Sequence, residues 1–145
     1  MKKLMLTMLI AATFAFGQAE KGGKGAPKSH AKVLTRAEID DLLKTPDQIL
    51  IVDVRRPDEV SAIGGFPVYL SVQIGDLEKY LPFIPKDRTI IALSNHASRG
   101  GRAADILTKA GFKVAGAAGA ETYESEGGKL TKIVPPPPRA SAKKE

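Results

Sequence analysis

Apolar positions along the chain follow two rhythms. Ile49–Val54 and Thr89–Leu93 are short, nearly unbroken β-branched and apolar runs, the pattern of strands buried on both faces. Elsewhere the spacing is helical. Ile39, Leu42 and Leu43 share one side of a short segment, and Ala103, Ile106, Leu107 and Ala110 share one side of a longer one, which Gly111 ends. Thr35-Arg-Ala-Glu38 is a capping box, with Val33 or Leu34 placed to staple Ile39, and Thr45-Pro46 closes that helix. Pro57-Asp58-Glu59 opens another helical turn, because proline suits the first helical position and carboxylates suit the positive helix end. Val68–Ile74 reads as a strand, Asp76–Leu81 as a short helix closed by Pro82 and Pro85, and Lys113–Ala115 as a short strand. The domain ends in Lys129–Val134. Strands that alternate with helices predict an α/β domain with a mainly parallel sheet.

The flanks differ from this core. Lys2-Lys3 precedes an uncharged, largely apolar run of 13 residues, Leu4–Phe16, and Gly17-Gln-Ala19 offers a small-x-small cleavage site. Residues 1–19 therefore read as an export signal, too short for the roughly 20 apolar residues of a spanning helix. An uncleaved N-terminal anchor is the alternative. The expected location is the bacterial periplasm, with no membrane span after cleavage. Residues 20–32 read as a flexible basic linker that includes His30, and residues 135–145 as a proline-rich basic tail whose Pro135–Pro138 suits polyproline II.

Charge follows the same division. The net +6 lies in the flanks: nine of the 22 Lys and Arg fall outside Val33–Val134, leaving 13 inside against 14 Asp and Glu. A near-neutral folded part argues against nucleic acid as a partner. The chain has two histidines and no cysteine, so no cluster has metal-ligand spacing and no metal or other cofactor is expected.

The stretch richest in chemistry follows the second strand. Ser94-Asn-His-Ala-Ser98 is a short polar turn between Thr89–Leu93 and a helix from Arg99. A strand that feeds a tight turn into a helix gathers unpaired N–H groups at the positive end of the helix dipole, which makes a candidate anion cradle. Two features of this chain resemble rhodanese-like domains. Asp53-Val-Arg55-Arg-Pro-Asp-Glu59 is similar to their Asp-x-Arg-x-x-x-Glu opening. Ser94-x4-Arg99 is similar to their Cys-x4-Arg loop, with Ser94 at the cysteine. Further on, Ala118-Gly-Ala-Glu-Thr-Tyr123 resembles their Gly-Gly-x-x-x-Trp.

The resemblance covers about residues 33–130. It implies a three-layer domain of about five mainly parallel strands with helices on both faces. It also implies that Asp53 and Arg55 brace the loop, and that Ser94, Asn95, His96, Ala97, Ser98, Arg99 and Gly100 would hold a small oxyanion or an anionic group of a protein partner. Persulfide chemistry needs a thiolate, and a serine hydroxyl stays protonated without a base. Thiosulfate sulfurtransferase activity is therefore not expected, and no residue is assigned as catalytic. Two readings stand: a catalytically silent binding module, or an enzyme that borrows a partner's thiol or uses Ser94 and His96 as a hydrolase. Two residues apart in a tight turn, those two side chains tend to diverge.

Overall fold

The computed structural model describes residues 28–132 and 134. The segments read as signal, most of the basic linker and the proline-rich tail lie outside the described residues. The elements, in chain order, are α1 (Arg36–Leu42), β1 (Ile49–Asp53), α2 (Pro57–Ile63), β2 (Tyr69–Ser71), α3 (Leu77–Tyr80), a 3-10 turn (Leu81–Phe83), β3 (Thr89–Ser94), α4 (Ser98–Lys109), β4 (Val114–Gly119) and α5 (Ala120–Ser125). The four strands form one parallel sheet in the order β2-β1-β3-β4.

The two apolar runs lie side by side at the centre, with Ile49–Asp53 paired in register to Thr89–Leu93. All five residues of β1 are buried. Their side chains alternate between two cores, as strand geometry requires. Leu50, Val52, Ile90 and Ala92 pack with Leu77, Ala103, Leu107 and Phe112 on the α3–α4 side. Ile49, Ile51, Ile91 and Leu93 pack with Ile39, Phe66, Ala120 and Tyr123 on the α1–α5 side. The result is three layers, with helices on both faces of the sheet.

The helix signals in the sequence appear where the chain needs them. The Thr35 hydroxyl accepts from Glu38 N–H, and the Glu38 carboxylate accepts from Thr35 N–H at 3.0 Å. Thr35→Ala is therefore expected to cost about 1 kcal/mol in urea-induced unfolding. Tyr123, in the tryptophan position of the family pattern, packs its ring 4.9 Å from that of Phe66 and donates its hydroxyl to Asp40 at 2.6 Å.

Four features differ from the sequence reading. The strand expected over Val68–Ile74 contracts to Tyr69–Ser71, an edge strand paired on one side only. The short strand expected at Lys113–Ala115 runs instead over Val114–Gly119, its small residues Gly116–Gly119 pairing with Ile91–Ser94 of β3 after a register shift at Ala115. The position of a fifth strand holds a single parallel bridge, Val33 to Ala117. The chain leaves the sheet there because Thr35 must already turn to cap α1. Residues 28–32, read as linker, lie along α4: the backbone N–H of His30 donates to Asp105 at 3.1 Å.

Candidate functional site

The polar turn stands at the carboxyl end of β3, the place where open parallel sheets bind ligands. Ala97 takes a left-handed backbone at φ 64°, which costs an alanine about 1 kcal/mol and swings the chain back into α4. Ser98 N–H then donates to His96 C=O at 2.9 Å, and Gly101 N–H donates to Ala97 C=O. Gly100 lets α4 approach the sheet closely. A Cβ there would lie 2.6 Å from the Ala92 carbonyl oxygen and 3.3 Å from Ser94 Oγ.

Ser94 ends β3 with 1% exposure, and its Oγ accepts the Gly100 N–H at 2.9 Å. An amide thus points at the atom that carries the reactive sulfur in the family pattern. A hydroxyl uses that amide as an ordinary hydrogen-bond partner and stays neutral. The His96 side chain is 70% exposed and pairs with Glu121 of α5, Nε2 to Oε2 at 3.2 Å. Ser94 and His96 are not hydrogen-bonded to each other, and one is buried while the other faces solvent. The structure does not assemble them into a nucleophile–base pair.

Arg99 is paired with a carboxylate from α2. Its guanidinium grips Glu59 with two bonds, Nη1 to Oε2 at 2.8 Å and Nη2 to Oε1 at 2.6 Å. Glu59 also accepts from Asn95 Nδ2 at 3.0 Å and from the Arg56 backbone N–H at 2.9 Å. One carboxylate therefore ties α2, the turn and α4 together. The Arg99 hydrogen bonds first, and the Arg56 backbone bond second, hold the Glu59 carboxyl at about 2, below its ordinary 4.5. The same partnership pushes the Arg99 guanidinium up. A carboxyl with a depressed folded-state pKa contributes stability in full above its unfolded value and loses it as pH falls through the folded one. The window here runs from about pH 4.5 down to about 2. Glu59→Gln is expected to flatten this part of the acid-unfolding profile and to cost about 1–3 kcal/mol at neutral pH, read from denaturant curves at several pH values.

Beneath the turn lie Asp53 and Arg55, both fully buried. Arg55 Nη2 donates to Asp53 Oδ2 at 2.7 Å and to the Gly64 carbonyl at 2.8 Å, and Nε donates to Asp53 Oδ1 at 2.9 Å. The pair sits at the end of β1 and pins the Gly64–Phe66 turn from inside. Neither side chain reaches the surface, so both fit the bracing role that the resemblance implies.

The N–H groups of His96 and Ala97 have no partner among the described residues. Ser98 is exposed beside them, at the first position of the twelve-residue α4. The two partners that sequence reasoning did not assign are Glu59, for Arg99, and Glu121, for His96. The first lay within the quoted opening pattern, but nothing local links it to an arginine 40 positions away. Among the described residues, no group of three or more His, Asp or Glu side chains converges, and no helix is long and apolar enough to cross a membrane.

No protein-family model matches the sequence, and no curated protein does either. Solved structures do match in fold. A rhodanese-related protein from Thermoplasma volcanium is 18% identical over 70% of this chain and 99% of its own, with a TM-score of 0.61. A Rhodopseudomonas palustris protein of unknown function, described as a possible tyrosine phosphatase, is 25% identical over 70% of this chain and 85% of its own, with a TM-score of 0.62. A thiosulfate sulfurtransferase from Pseudomonas aeruginosa is 24% identical over 71% of this chain and 20% of its own, with a TM-score of 0.59.

Proposed function

We propose, from the premise that this chain is a rhodanese-like domain with Ser94 at the family's cysteine position, that it is a catalytically silent module that binds anionic groups. The observation that carries this reading is the combination at the end of β3. The buried Ser94 hydroxyl replaces the sulfur carrier, while the His96 and Ala97 amides at the start of α4 stay unpartnered. Chemistry that stores sulfur on the enzyme has no atom to store it on, since the chain lacks cysteine. Amides at a helix start still attract negative charge. With Arg99 held by Glu59, binding would rest on backbone donors and be of millimolar strength for a small oxyanion. The apolar run behind Lys2-Lys3 supports export to the periplasm, where the module would act.

The test pairs an activity assay with a titration. Thiocyanate formation from thiosulfate and cyanide should be absent, and sulfate, thiosulfate and phosphate should shift amide resonances saturably and only within Asn95–Gly101. Phosphate belongs in the set because one structural neighbour is described as a possible phosphatase. Thiocyanate production by the unmodified protein, or an unresponsive loop at millimolar anion, would overturn the reading.

A further inference from the structure

Beside the turn a cleft of about 440 Å³ opens between the segment that enters the domain and the first turn of α4. Its apolar walls include Val33, Ala97 and Gly101, and its charged side chains are Lys28 and Arg102, with His96 at the loop edge. No carboxylate lines it. The acidic groups nearby are engaged elsewhere: Glu121 pairs with His96, and Asp105 accepts the His30 N–H. Among the described residues neither Lys28 nor Arg102 forms an ion pair. The entering segment can lie this close to α4 because position 101 is glycine; a Cβ there would meet Ser29 Cβ at 2.7 Å.

The backbone at Val33 adds a further feature. The bridge to β4 is made by the neighbours of Val33: Leu34 N–H donates to Ala117 C=O at 2.8 Å, and Ala117 N–H donates to Lys32 C=O at 2.7 Å. The N–H and C=O of Val33 itself therefore face away from the sheet, with no partner among the described residues. The Val33 side chain is 60% exposed. An open backbone edge with an exposed β-branched residue accepts an added strand, and main-chain bonds supply affinity while side-chain sites supply specificity.

We infer that this cleft docks an extended acidic segment of a partner polypeptide, added along Lys32–Leu34 with a carboxylate set between Lys28 and Arg102. The inference rests on the reading of the chain as a binding module and names its partner class. Charge complementarity selects an acidic segment, and the open edge selects an extended polypeptide over a small ion.

The experiment is fluorescence anisotropy of a labelled octapeptide of alternating valine and glutamate, titrated with the full chain. Saturable binding is expected, weakened at least about tenfold when glutamine replaces every glutamate. Arg102→Gln and Val33→Glu, both at positions with solvent access, should each lower affinity about fivefold. Equal binding of the two peptides, indifference to Val33→Glu, or no saturation at millimolar protein would overturn the inference. Loop shifts with sulfate but no peptide binding would leave the anion-cradle reading standing and remove this one alone.

Discussion

Asp53→Ala is expected to lower the free energy of unfolding by about 3–5 kcal/mol, enough to remove much of the stability of a small domain. Asp53 and Arg55 are both at 0% exposure, so the substitution leaves a guanidinium in the interior with its counter-charge gone. Arg55 has little slack to absorb that loss, because Nη1 is already buried without a partner among the described residues. Its remaining side-chain bond would be to the Gly64 carbonyl. The magnitude comes from the stranded charge, not from the worth of the pair. The double variant Asp53→Ala, Arg55→Leu should therefore cost less than Asp53→Ala alone. Urea unfolding of the wild type and the variants checks this. A loss below about 1 kcal/mol for the single variant would mean that Arg55 escapes to water and that the pair does not brace the turn.

Ser94→Cys is expected to create sulfurtransferase activity where none is expected of the unmodified chain. The thiolate would attack the outer sulfur of thiosulfate, forming a sulfur–sulfur bond and releasing sulfite; cyanide would then take that sulfur as thiocyanate and restore the thiolate. The Gly100 N–H that now meets Ser94 Oγ at 2.9 Å would stabilise the anion, as would the start of α4. The thiol should accordingly titrate below the free value of about 8.5, which thiolate absorbance against pH would show. Position 94 is only 1% exposed and Arg99 is committed to Glu59, so turnover should be slow, about tenfold or more above the wild-type baseline. An unperturbed thiol with no turnover would show that the turn does not favour negative charge at this atom, and would count equally against anion binding.

The division between what is local and what is not runs through the whole molecule. The two central strands, the start and stop of α4 and the capping box on α1 were legible in the sequence, because each depends on residues within a turn or two of one another. The lack of a cysteine, on which the expectation of no persulfide chemistry rests, is equally a matter of sequence alone. The number of paired strands was less legible. A strand exists only where a neighbour offers its edge, and that left β2 at three residues and reduced the fifth position to one bridge.

The site divides in the same way. Sequence placed Ser94, Asn95, His96 and Arg99 in one turn, but it could not say which way each side chain faces. The fold decided that Ser94 is buried against Gly100, that His96 reaches Glu121 and that Arg99 closes on Glu59. The Ser94–Gly100 contact is local, but the other two join residues far apart in the chain: His96 meets Glu121 because β4 pairs beside β3, and Arg99 meets Glu59 because β1 does. Sequence alone therefore determined which atoms this turn lacks, and tertiary structure decided which of the remaining ones pair with one another and which have no partner among the described residues.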